Sequence, residues 1–220
     1  MSRALARYID LMEERPEEFY NTEAEYIIVK DIEKILEYEK RTGKVIGVVY
    51  ESPYHLMVVD LVTIDGTKLF TYERLLPAIK KGAVVALTMY GENYVFLKQY
   101  RHALRGSQYS FPRGFAERGF SPEENLRKEL IEELGCTAEE ITLLGNVVAD
   151  SGVSGVSVGI YLCKINFYEE YKHYEGIEKV IVLSRKELRD FIVSGKITDG
   201  FSLSALFLLD VVTKNKVSEH

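Results

Sequence analysis

The stretch from Gly114 to Gly135, GFAERGFSPEENLRKELIEELG, constrains this chain more than any other. Its spacing predicts a glycine-bounded loop feeding a short, very acidic helix. Ser121 stands as an N-cap, Pro122 suits the first helical position, and Glu124 follows the serine at capping-box distance. Gly135 can take the left-handed conformation that ends a helix. Glu129, Glu132 and Glu133 are spaced i, i+3, i+4, so they share one face of that helix. Three like charges on one short face repel, and a plain protein surface gains nothing from them. A bound divalent cation turns the repulsion into attraction, and hard carboxylate oxygens suit Mg²⁺ or Mn²⁺.

Composition narrows the setting. With 220 residues, 46% of them hydrophobic, the chain can build one sizeable core or a core plus a small accessory region. A net charge of −6 leaves no broad basic footprint, so nucleic acid is not an expected partner. A phosphate-bearing ligand must therefore be met by a local basic spot or a metal. Cys136 and Cys163 form neither a disulfide framework nor a zinc site and read as reduced core residues. No apolar run approaches membrane-spanning length, and the N-terminus lacks a signal peptide's apolar stretch. The expectation is a soluble cytoplasmic protein with no membrane contact.

Residues 1–43 read as a helical appendage. Leu5, Tyr8, Ile9 and Met12 mark one stripe, Pro16 interrupts it, and Thr22 with Glu25 reads as the start of a second helix. Ala24, Ile27, Ile28, Ile32, Ile35 and Leu36 would form its core face, and Gly43 closes it. Residues 44–76 read as an antiparallel β accessory or dimerisation region, with Asp65-Gly66 as a hairpin turn. Residues 77–214 read as the main domain. Gly82 to Tyr90 is a strand buried on both faces, with Tyr94 to Arg101 as its partner. Ile141 to Ala149, Val158 to Phe167 and Ile177 to Leu183 are further strands. Ser184 with Glu187 starts a helix, and Asp199 or Ser202 starts the last one, with Leu203, Leu206, Phe207 and Val211 facing inward. Mixed strands around one embedded helix, with helices at the end, predict an α+β or a layered α/β/α domain.

These residues resemble the Nudix hydrolase family. Its signature is a glycine, five residues, a glutamate, seven residues, then Arg-Glu-hydrophobic-x-Glu-Glu-x-Gly-hydrophobic. Gly114 supplies the glycine, and Glu129 through Cys136 match the second half in register. Phe120 stands where the early glutamate belongs and Lys128 where the arginine belongs. Those two commonly pair in the family, and Phe120 could pack on the Lys128 stem instead. Beyond this box, Gly82 to Leu87, Leu97 to His102, Phe111 to Gly114 and Ser194 to Gly200 look like the ADP-ribose pyrophosphatase branch.

The resemblance implies a Nudix α/β/α sandwich with a mixed sheet, preceded by N-terminal helices and the antiparallel accessory region. It implies Mg²⁺- or Mn²⁺-dependent hydrolysis of the pyrophosphate bond of ADP-ribose or a related nucleoside diphosphate derivative, and a homodimer. Other nucleotide sugars, dinucleotides or coenzymes, or a non-catalytic nucleotide sensor, are the alternatives. Glu129, Glu133 and the carbonyl of Arg113 are the implied metal ligands, with Glu132 a ligand or base. A loop glutamate, Glu175 first with Glu178 and Glu170 behind it, is either the general base or an ordinary surface residue. Arg101 meets a phosphate or ribose, or forms a structural ion pair. Glu73 and Arg74 would reach the substrate across a dimer interface. Gly114, Lys128 and Gly135 complete the structural box.

Overall fold

A computed structural model describes residues 1–22, 26–169 and 176–218, with the backbone alone for 215–218. The chain divides into two compact units, one of residues 1–80 with 150–156 and one of residues 81–149 with 157–220.

In the first unit, α1 (Arg3–Glu14) is capped by Ser2, whose hydroxyl accepts from Leu5 N at 3.1 Å, and it buries Leu5, Tyr8 and Leu11. A single 3₁₀ turn, Pro16–Phe19, drops the Phe19 ring edge-on against Tyr8 at 5.2 Å. After β1 (Ile27–Ile28), Asp31 caps α2 (Ile32–Thr42), and Gly43 ends it at φ 71°. The strands β2 (Gly47–Glu51), β3 (His55–Thr63) and β4 (Leu69–Pro77) are antiparallel, with β3 in the middle and β1 pairing its far end. Helices and strands share one core of Leu5, Tyr8, Ile35, Ile46, Val58, Leu61 and Leu76.

An ionisable side chain is buried beside that core. Asp60 is 1% exposed. It accepts from the Tyr8 hydroxyl at 2.5 Å and from Arg74 Nε and Nη2 at 2.5 and 3.1 Å, while Arg74 Nη1 donates to the Glu18 carbonyl at 2.9 Å. Burial, reinforced by the Asp60 charge, pushes the Tyr8 phenol well above its ordinary pKa.

The second unit is built on a seven-stranded sheet. Its main path runs β11 (Ile177–Leu183), β6 (Asn93–Arg101), β5 (Val84–Tyr90), β10 (Ser157–Ile165), β9 (Ala138–Val148). β7 (Gly106–Ser110) extends β6, and β8 (Arg113–Gly114) pairs the start of β5. β5 and β10 run parallel and the other pairs antiparallel, so the sheet is mixed. Period-2 alternation sorts the two faces. Val84 and Ala86 pack on Leu126, Leu130 and Leu134 of α3 (Pro122–Leu134). Met89 and Leu162 face the other way, lining a cleft with Leu188 and Ile192 of α4 (Arg185–Val193) and Leu206 and Leu209 of α5 (Gly200–Ser218). The result is a mixed sheet between helical layers, the expected α/β/α sandwich in an α+β chain.

Three local expectations are corrected. The second helix begins at Asp31 and not near Thr22, because the Asp31 carboxylate accepts from Glu33 N and Lys34 N. Ile27 and Ile28 are instead strand residues opposite Thr63 and Val62, and Ala24 and Glu25 lie outside the described residues. The Asp65-Gly66 turn is longer than two residues: β3 and β4 last pair at Thr63 and Leu69, and Asp65 accepts from Thr67 N and Lys68 N. In α5, Leu203, Phe207 and Val211 are exposed at 37, 67 and 37%, whereas Ser202 and Ala205 are buried. That helix is apolar on most of its surface, so periodicity does not single out its inner face.

Candidate active site

The acidic helix forms as its sequence dictates. Ser121 Oγ accepts from Glu124 N at 3.3 Å and Glu124 Oε2 accepts from Ser121 N at 2.8 Å, completing the capping box. The Ser121 backbone N–H, and after it the Ser121 hydroxyl, hold the Glu124 carboxyl below its usual pKa. At the far end Gly135 sits at φ 65° and closes the helix by donating to the carbonyls of Ile131 and Leu130.

The three glutamates diverge in environment. Glu129 and Glu133 are buried, at 9 and 2% exposure, although each carries an ionisable carboxyl. Both turn towards the short strand Arg113–Gly114. Glu133 Oε2 accepts from the backbone N–H of Arg113 at 3.0 Å. Glu129 lies so close to Gly114 that any side-chain carbon there would collide with its carboxylate. This close approach is why the position is glycine. Glu132 is half-buried and sits 3.2 Å from Lys128 Nζ.

Lys128 has carboxylate partners in place of the family's arginine–glutamate pair. Its ammonium pairs with Glu117 at 2.5 Å, which raises its pKa above the ordinary lysine value, and Phe120 is 44% exposed. A carboxylate–cation link between loop and helix is therefore present, with its acid three residues earlier than the family signature places it. Asn125 is a second tie that the sequence reading passed over. It is fully buried, and its amide donates to the carbonyls of Gly82 at 2.9 Å and Phe115 at 2.7 Å, stitching helix, strand entry and loop together.

The segment leading into the site is anchored again from α5. Arg113 Nη1 pairs with Asp199 at 3.0 Å, and its guanidinium lies 5.6 Å from the Phe201 ring centroid. Asp199 caps α5 by accepting from Ser202 N at 2.9 Å and Ser202 Oγ at 2.8 Å. Ser202 Oγ in turn accepts from Phe111 N at 3.0 Å.

The other expected residues have contacts of their own. Arg101, at the end of β6, donates to Ser110 Oγ at 3.2 Å. Glu178 is an exposed β11 residue, 2.6 Å from Lys98 and accepting from Ser107 Oγ at 2.5 Å, which holds its carboxyl below the usual range. Glu73 and Arg74 belong to β4 of the first unit; Glu73 is exposed, and the Arg74 fork is committed to Asp60 and Glu18. Glu170 and Glu175 lie outside the described residues.

Two buried carboxylates beside a short backbone segment are hard oxygen donors of the kind Mg²⁺ and Mn²⁺ take, and a cation there would offset the cost of burying two like charges. Their donor chemistry fits such an ion. Among the described residues no three acidic, His or Cys side chains are already gathered as a metal cluster; Glu132 stands apart on Lys128.

Residues 80–162 match the model of the NUDIX domain. The chain is 30% identical over 104 residues to the ADP-ribose pyrophosphatase of Bacillus subtilis (strain 168), a stretch covering 46% of this chain and 56% of that relative. The matched stretch thus spans little more than half of the relative's length. A solved structure described as an ADP compounds hydrolase superposes with a TM-score of 0.62 at 17% identity, over 77% of this chain and 91% of the other, which is a likeness of fold. Residues 80–162 are thus similar to the NUDIX domain, and the chain is similar to an ADP-ribose pyrophosphatase over the matched stretch.

Proposed function

We propose that this protein hydrolyses the pyrophosphate bond of ADP-ribose or a related nucleoside diphosphate derivative, using Mg²⁺ or Mn²⁺. One observation carries the reading: within the NUDIX segment, Glu129 and Glu133 are buried and drawn onto Arg113–Gly114. These two carboxylates and the Arg113 carbonyl would hold the divalent ion. When bound, that ion neutralises the pyrophosphate charge and favours attack by water.

The chain's own residues do the rest. Glu132, half-buried and 3.2 Å from the Lys128 ammonium, is the candidate base for the proton of the attacking water. The water oxygen bonds to one phosphorus as the bridging P–O bond breaks, giving two phosphomonoesters; from ADP-ribose these are AMP and ribose 5-phosphate. Arg101, with one nitrogen on Ser110, is the candidate cation for the phosphate or ribose. The reading includes a homodimer formed through residues 45–75, supported by the exposed Val45, Val49, Tyr50, Tyr54 and Ile64 on those strands and turns.

Substrate identity is tested by incubating the protein with Mg²⁺ and ADP-ribose, nucleotide sugars, dinucleotides and coenzymes in parallel, and resolving the products by anion exchange. ADP-ribose should be cleaved fastest, to AMP and ribose 5-phosphate. Preferred cleavage of another compound moves the assignment to that compound, and no cleavage of any contradicts the hydrolase reading.

A further inference from the structure

The segment Phe111 to Gly114 is gripped from two sides. Glu133 and Glu129 of α3 seat on one side of it. The N-terminal cap of α5 holds the other, through Asp199 to the Arg113 guanidinium and through Ser202 to the Phe111 N–H. Pro112 adds a third fixed point, its carbonyl accepting from Ala86 N of β5 at 2.9 Å. Every polar contact in this chain of bonds lies between 2.8 and 3.0 Å. Its acceptor hub, Asp199, is 5% exposed, and Ser202 is fully buried.

We infer that Asp199 is a positioning residue for the metal site: it fixes Arg113, and through the Arg113 backbone it fixes where Glu133 and the Arg113 carbonyl present their oxygens. The inference rests on the metal-binding reading above.

Two features separate this role from simple helix capping. Asp199 divides its two oxygens, Oδ2 to the cap at Ser202 and Oδ1 to Arg113. The cap needs only one acceptor, and asparagine caps helices about as well as aspartate. The Arg113 link needs the charge, because a planar guanidinium opposite a carboxylate gains from ionic as well as hydrogen-bond attraction. An ordinary cap would leave the metal site untouched when Asp199 becomes Asn. A positioning residue would not, since partners that orient metal ligands typically affect metal affinity by about 10–100-fold.

The test measures Mn²⁺ affinity by calorimetry in the absence of substrate, and hydrogen exchange of the Arg113 amide, for wild type, Asp199→Asn, Arg113→Met and the double variant. Asp199→Asn should keep the wild-type melting temperature, weaken Mn²⁺ binding about tenfold and speed exchange of the Arg113 amide. Arg113→Met, which leaves the α5 cap intact, should reproduce both changes, and the double variant should be no worse than either single one. Wild-type Mn²⁺ affinity and amide exchange in Asp199→Asn and Arg113→Met overturn the inference while leaving the metal site standing. Failure of the wild type to bind Mn²⁺ overturns the metal-site reading and this inference with it.

Discussion

Glu117 Oε1 lies 2.5 Å from Lys128 Nζ, and the same ammonium lies 3.2 Å from Glu132 Oε2. One cation thus ties the loop after Gly114 to the helix and stands beside the candidate base. Both partners of the Glu117–Lys128 pair are about one-third exposed, so it should contribute only ~0–1 kcal/mol to stability. Its effect on chemistry should be larger. Lys128→Met and Glu117→Gln should each lower kcat by roughly tenfold while the melting temperature moves by only a few degrees. Steady-state kinetics beside thermal melts check this; unchanged kcat in both variants would remove the loop link from the account.

Gly114 has no room for a side chain because the Glu129 carboxylate occupies that space. Gly114→Ala must push Glu129 or the strand aside. A displacement of about 1 Å at reacting groups can cost ~100-fold in rate, and a loss of that size is expected for this variant with its circular dichroism spectrum intact. Near-normal turnover would mean that Glu129 does not need its present place.

Arg74 is a matter of stability in this fold. Removing it leaves Asp60 buried with only the Tyr8 hydroxyl as donor among the contacts described above. Arg74→Ala should cost ~3–5 kcal/mol, measured by urea unfolding. A stable Arg74→Ala protein with a raised KM would instead return Arg74 to substrate binding.

Cys163 supplies a pH dependence. Burial, with a smaller push from Cys136, raises its thiol pKa from 9.0 to about 12. The neutral thiol is therefore favoured in the folded state. Its contribution is fully present below about pH 9 and is lost as pH rises towards about 12, by at most ~1.4 kcal/mol per pH unit. Unfolding free energy measured from pH 8 to 11 should fall less steeply in Cys163→Ala than in wild type. Native protein should also resist thiol reagents at pH 8 and react with them once unfolded.

What the sequence made legible follows from locality. The box helix and α4 were readable because capping boxes join residues three apart, and both form as expected at Ser121–Glu124 and Ser184–Glu187. β5 and β11 were readable from their apolar, β-branched composition. β7 and β8 were not, because Gly106-Ser107-Gln108-Tyr109-Ser110 is largely polar, Arg113-Gly114 is two residues long, and each exists only through its partner strand. The same holds at the candidate site. The glutamates could be read from their spacing, whereas the Glu117–Lys128, Asn125–Gly82 and Asp199–Arg113 links join residues 11 to 86 positions apart. No periodicity encodes such pairs.

The most direct test concerns Glu133, the carboxylate that meets the Arg113 N–H. Wild type and Glu133→Gln should be assayed with ADP-ribose across a Mg²⁺ titration, with AMP release as the readout. The account predicts Mg²⁺-dependent release by wild type and a loss of at least ~100-fold in Glu133→Gln, with the fold unchanged. Equal release by both proteins, or release that persists in wild type after chelation of divalent ions, would contradict it.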